Sequence, residues 1–352
     1  MLIRILALFF LGISGSTLAQ PTPVSAPALP ERSIVYSVQD SAAIKDYRTD
    51  PAVVRSMVNR LVLAVTGQPD LARAWGSLVS PNDKVGIKIS AAGGELFTTH
   101  RDVVNTIVDG LVAAGHPRKN IIVWDRSLGG IKEAGYDPAR EGYQMKSIAP
   151  REGYDPEAIF TAPLAGKLIW GDVDYRTDLG TVPILSDNEQ TSDLSHFARI
   201  VSSEVTKIIN IPVMSESTLG GLAGCLYNVT IPNIDNWRRF TQLSGYGGTA
   251  IVSLYNNPVI GKKVVLNIMD GLAAQYAGGP QSQPNYAVHH ATLLASKDPV
   301  AIDALALQRI DAWRKEAQLP PIGRQAAYIQ VAGEVGLGHA DPARIEVRNV
   351  NR

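Results

Sequence analysis

One cysteine, Cys225, stands in a chain of 352 residues. A lone thiol cannot close an internal disulfide, nor can it supply the thiolates that hold an iron-sulfur cluster, so such a cluster is excluded. Charge of one sign is missing as well: 33 Lys+Arg balance 33 Asp+Glu. With no net positive field there is no electrostatic footprint for DNA or RNA, and nucleic acid is not an expected partner. The common motifs of nucleotide and acyl chemistry are also wanting. No GxxxxGK[ST] loop and no GxSxG elbow occur, and the glycines of GGLAG (Gly220 to Gly224) do not keep GxGxxG spacing. The histidines show no HxxxH or HxH pattern, and the adjacent His289 and His290 would point to opposite faces of a strand.

What is present suffices for a globular core, since 45% of the residues are hydrophobic and 19% charged. The first nineteen residues have Arg4, an apolar run from Ile5 to Ile13, and the small-residue ending Thr17-Leu18-Ala19. That is the layout of a secretory signal peptide cleaved after Ala19, with no lipidation cysteine and no twin arginine. The expectation is a periplasmic or secreted protein, free of the membrane after cleavage. In an oxidising compartment an unpaired Cys225 reads as a buried packing residue rather than a reactive one. Composition sets no oligomeric state.

After a Pro- and Ala-rich lead-in over 20–32, the expectation is one α/β domain over 33–352. Asp50, Pro51 and Gly67 frame a helix with its N-cap, first-turn proline and glycine stop. DKVGIKIS (from Asp83), RDVVNTIVDGLVAAG (from Arg101) and KNIIVWDRS (from Lys119) read as strand, helix and strand, a βαβ unit with parallel strands. TKIINIPV, KVVLNIMDG and HATLLASKD read as further strands, each leading through a turn into a helix. The fold expected is a mostly parallel sheet flanked by helices, with a loop-rich insertion over 128–200 and an edge strand near the C-terminus.

In such sheets ligands sit beyond the carboxyl ends of the strands. The residues expected there are Lys88, Ser90, Asp125, Arg126, Asn210, Asp270, Ser296 and Asp298. Asp125, Asp270 and Asp298 are candidate acids or bases, and Lys88 and Arg126 candidate holders of negative charge. Asp298 before Pro299 also fits a helix cap, Asp270-Gly271 a turn, and Asp125-Arg126 a surface ion pair. In STLGGLAGCLYNVTIPN (Ser217 to Asn233), Leu219, Leu222, Leu226 and Val229 keep helical spacing. The reading is a helix capped by Ser217 or Thr218, with Gly220, Gly221 and Gly224 packed on the sheet. Its N-terminus would offer an anion site, with Asn228 and Asn233 beside it. Asp172, Asp174 and Asp178 look like a partial calcium loop, but Thr177 stands where the loop needs glycine. No metal ligand is assigned, and a divalent cation held by carboxylates stays open.

VGIKIS, AAGHPRKNIIVWDRS, IINIPVM with GGLAGCLYNVTIPN, DGL with AGGP, and LLASKDPVAIDALAL follow one another along the chain. Together they resemble the domain-of-unknown-function family 362 from about Ser80 to Leu307. The resemblance implies an α/β domain, often exported, sometimes fused to ferredoxin modules, with no settled reaction. Where many relatives carry a Lys-acidic-His triplet this chain has Ser215, Glu216 and Ser217, and Tyr227 stands where a lysine often precedes Asn228. Two readings follow: an enzyme acting on a small hydroxylated or anionic substrate by carboxylate acid/base chemistry, or an exported protein that binds such a ligand without reacting. Two carboxylates within reach of one substrate atom would favour the enzyme.

Overall fold

The computed structural model describes residues 29–137, 139–149, 151–161, 194–235, 237–240 and 246–351. The first nineteen residues, expected to be a signal peptide, and the run holding Asp172, Asp174 and Asp178 lie outside the described residues. The main sheet is built from β1 (Ser33–Gln39), β2 (Val85–Ile89), β3 (Ile122–Ser127), β4 (Gln144–Ala149), β5 (Lys207–Ile211), β6 (Val213–Ser217), β7 (Val264–Gln275), β8 (Thr292–Ser296) and β9 (Ile345–Asn349). Its order runs β9-β1-β8-β7-β5-β2-β3-β4, with β6 also pairing β7. The strands from β7 through β4 are mutually parallel. Such strands are covered on both faces, which is why VGIKI is buried at every position.

Helices α1 (Pro51–Thr66), α2 (Leu71–Leu78) and α3 (Arg101–Ala113) cover one face. The other face carries α5 (Cys225–Thr230), α6 (Tyr246–Asn256), α7 (Pro299–Glu316) and α8 (Ala327–Glu334), while the short α4 (Leu128–Glu133) follows β3 and packs Ile131 with the first group. The ends of α1 are local and legible. Asp50 Oδ1 accepts the amides of Ala52 and Val53, and Gly67 leaves the helix at φ 64°.

Three expectations change. First, β8 is antiparallel to both β7 and β1. No α-helix lies between β7 and β8, and without a crossover the chain can only return antiparallel. Second, Asp270-Gly271 is not a turn; β7 runs through it to Gln275. Third, part of the expected insertion belongs to the sheet, because β4 is its edge strand, while Tyr154–Thr161 pairs antiparallel with Leu194–Ala198 as a separate small element. The C-terminal β9 lies at the opposite edge, as its alternation suggests.

The reversal of β8 decides where its end goes. Ser296 pairs with Asn267, early in β7, so the chain reaches Asp298 at the amino-terminal edge of the parallel strands. There Asp298 caps α7 by accepting the Ala301 amide, and it also accepts the Ser33 hydroxyl and the His339 amide. Asp298→Ala is expected to cost about 1–2 kcal/mol in denaturant unfolding, as a lost cap does.

Candidate functional site

At the carboxyl ends of the parallel strands lies a cavity of ≈ 190 Å³. Its walls come from the segment after β2 (Ser90 to Gly93, Phe97), the end of β3 (Asp125, Arg126, Ser127), β6 (Val213, Ser215, Ser217), α5 and its flanks (Ala223, Tyr227, Asn228, Ile231, Pro232), and from Trp237 and Pro280. Most of these surfaces are apolar, and Asp125 and Arg126 bring the charge.

Asp125 is held from behind. Lys88, with none of its surface exposed, sits between Ile87 and Ile89 on β2 and turns its ammonium toward the strand end. Lys88 Nζ donates to Asp125 Oδ1 at 2.6 Å, to the Ile89 carbonyl at 2.7 Å and to Asn228 Oδ1 at 3.2 Å. An ammonium has three donors, and here each has an acceptor. Asp125 Oδ2 accepts the Ala91 amide at 2.7 Å, so both carboxylate oxygens are anchored and the residue is 7% exposed. Burial pulls the Lys88 pKa below the lysine range, against the opposing pull of Asp125.

The polar chain continues inward. Asn228 Nδ2 donates to Asn210 Oδ1, and Asn210 Nδ2 donates to Asn267 Oδ1 and to the Cys225 carbonyl, each at 2.9 Å. Lys88, Asn210 and Asn267 are register neighbours on β2, β5 and β7, which is why three side chains widely separated in sequence meet on one face. Asn210 thus supports Asn228, which reaches the cavity wall, without lining the cavity itself.

The remaining candidates divide. Arg126 lines the cavity with its guanidinium 4.8 Å from the centre of the Trp237 ring. Ser90 and Ser217 line it too. Asp270 is fully buried away from it, accepting the amide of His100 at 2.8 Å and the imidazole Nδ1 at 2.9 Å. Burial opposes charge on that ring, but the Asp270 carboxylate outweighs it and raises the His100 pKa. Asn233 takes the Trp124 indole N–H and donates to the Val229 carbonyl, a packing role.

The anion site expected at a helix start is not formed. The backbone from Ser217 to Leu222 is a tight hairpin in which β6 pairs with Gly221–Leu222, and α5 begins at Cys225 with Gly224 as its N-cap. Gly221 turns at φ 75°, where a Cβ would also meet the Ala326 amide nitrogen at 2.8 Å. The amides of Cys225 and Leu226 donate to Asp303 of α7 at 2.6 and 3.0 Å, so a carboxylate of the protein already occupies the place of an anion. Cys225 is buried beneath it, and burial drives its thiol well above the usual range, in keeping with packing.

The Gly220-Gly221 turn and Thr218 serve another purpose. The Thr218 amide and hydroxyl both donate to the Gly279 carbonyl, at 3.0 and 2.9 Å, and the Gly279 amide donates to Glu216 Oε2 at 2.9 Å. This clamp sets Pro280 in the cavity wall. Burial raises the Glu216 carboxyl, with the Gly279 amide pulling the other way. Pro280, Phe97 and Trp237 were not singled out from sequence, because no motif joins them; loop closure does. Among the described residues no group of three or more His, Cys, Asp or Glu side chains stands together as a metal centre.

Asp303 gives a pH test. Burial, partly offset by the two amides, raises its pKa from 3.8 to about 7. A carboxyl that binds its proton more tightly when folded stabilises the protein below about pH 4 and loses that contribution as pH rises through about 7. His290, whose burial lowers its pKa from 6.5 to about 4, contributes a slope of the opposite sign over much of this window. The difference in unfolding free energy between the wild type and Asp303→Asn is therefore the expected readout, declining as pH rises between about 4 and 7; a difference that does not change with pH would remove the assignment.

No curated protein matches the sequence. Among solved structures, a crystal structure of a protein from Thermotoga maritima has 13% identity and a TM-score of 0.37; the match covers 78% of this chain and 61% of that one. The chain thus spans less than two thirds of that neighbour. The domain of unknown function DUF362 matches residues 84–308, a segment that contains every residue lining the cavity. The chain belongs to the DUF362 family.

Proposed function

We propose that this protein is exported and binds a small hydroxylated or anionic molecule in the Asp125 cavity. The observation that carries the reading is the pairing of a mostly apolar hollow with a carboxylate fixed by a fully buried lysine, at the sheet end where ligands of such folds bind. A preorganised acceptor costs nothing to orient when a ligand hydroxyl arrives, and Arg126 supplies positive charge for an anionic group.

Of the three carboxylates expected to act as acid or base, Asp125 lines the cavity, Asp270 is bound to His100 and Asp298 caps a helix at the other edge. Catalysis by two carboxylates on one substrate atom therefore has no support here. A one-carboxylate enzyme has one observation in its favour: the Lys88 ammonium, with its lowered pKa, lies one hydrogen bond from the cavity carboxylate and can share a proton with it.

Native mass spectrometry of the protein recovered from an exporting host reads both parts of the proposal. The expected mature chain starts at Gln20 and carries a small organic ligand, lost in Asp125→Asn with the fold retained. A chain that keeps its first nineteen residues contradicts export. A ligand retained unchanged by Asp125→Asn contradicts the site, and turnover of that ligand by the wild type decides between binder and enzyme.

A further inference from the structure

Resting on the binding reading above, we infer that the ligand is a single-ring hydroxyaromatic carboxylic acid, with its hydroxyl on Asp125 and its carboxylate toward Arg126. Size sets the first limit. A cavity of about 150 Å³ lined by apolar side chains holds benzene, whereas sites for drug-sized ligands start at about 300 Å³. At ≈ 190 Å³ the cavity suits one ring with one or two small substituents.

The walls set the second limit. Phe97, Tyr227 and Trp237 reach the cavity from three separate segments, the loop after β2, the helix α5 and the turn Trp237–Phe240. Aromatic rings gain from offset or edge contacts with another ring beyond the area they bury, so this lining favours a planar aromatic body over an aliphatic one. Leu219, Ile231 and Pro280 extend the apolar surface.

The polar groups set the third. Asp125 is an acceptor whose two oxygens are each held by one donor, Lys88 on one side and Ala91 on the other. Each oxygen retains acceptor capacity, which a ligand hydroxyl fills and a ligand carboxylate would be repelled by. Arg126 also lines the cavity, with its guanidinium against Trp237 and its Nη1 donating to the Ile234 carbonyl at 3.3 Å, and its positive charge suits a carboxylate. The α5 amides cannot take that anion, since Asp303 holds them.

Isothermal titration of the mature chain with 4-hydroxybenzoate as probe tests this against benzoate, phenol, cyclohexanecarboxylate and lactate. The expected result is tightest binding of 4-hydroxybenzoate, with benzoate weaker by about tenfold or more, the worth of one net hydrogen bond to a charged acceptor. Asp125→Asn, which keeps one acceptor oxygen but loses the charge, should narrow the difference between 4-hydroxybenzoate and benzoate. Arg126→Ala, at a half-buried position that should not threaten folding, should weaken both acids and leave phenol unchanged. Equal or tighter binding of cyclohexanecarboxylate or lactate overturns the aromatic assignment while the binding reading stands. A copurified ligand of another class, with none of the panel bound, does the same. No copurified ligand and no bound panel member defeats both.

Discussion

The interaction on which the site depends is the contact between Lys88 and Asp125. A lysine buried within a parallel strand has no access to water, and taking its charge out of solvent costs several kcal/mol unless partners replace the lost hydration. The fold supplies them by geometry. Lys88 lies near the carboxyl end of β2, close enough for its flexible stem to reach past Ile89 to the Asp125 carboxylate, the Ile89 carbonyl and the Asn228 amide oxygen. The charge that would be a liability in a core becomes the support of a carboxylate facing a cavity.

Other features follow from satisfying that one group. Asn228 must present its oxygen to Lys88, so its nitrogen points to Asn210, and Asn210 in turn meets Asn267. Asn228 rides on α5, a helix of six residues too short to stand alone, which is anchored by Asp303 at its first amides. The cavity wall is completed by Tyr227 from α5, by Trp237 beside Arg126, and by Pro280, clamped through Gly279 to Glu216 and Thr218. Glu216 serves as part of this clamp, and the flanking Ser215 and Ser217 line the cavity.

Much of this was legible in sequence where the cause is local. Asp50, Pro51 and Gly67 fix α1 because capping involves neighbours within one turn. The apolar runs around Lys88 and Asp125 point to parallel strands, and their ends point to Lys88, Ser90, Asp125 and Arg126, of which Ser90, Asp125 and Arg126 line the cavity. Ser217 and Asn228 come instead from the glycine-rich stretch read as a helix start; both line the cavity, Ser217 from β6 rather than as a cap. What could not be read was set by distant partners. The direction of β8 depends on the connection before it, which moved Asp298 to the other edge. The helical spacing of Leu219, Leu222, Leu226 and Val229 holds for α5 but not before it, because pairing with β6 pulls Gly221 and Leu222 into a hairpin. Asp303 caps α5 from more than seventy residues away, and His100 meets Asp270 across 170; neither pairing leaves a local signal.

The account stands most directly on the energy of the Lys88–Asp125 pair, which a double-mutant cycle in denaturant unfolding measures. Lys88→Met alone is expected to cost about 3–5 kcal/mol, because it leaves the Asp125 carboxylate without its buried counter-charge. Asp125→Leu in the same chain should recover part of that loss, giving a coupling of more than about 1 kcal/mol. If the two substitutions add to within about 0.5 kcal/mol, the pair does not organise the site and the central claim is wrong.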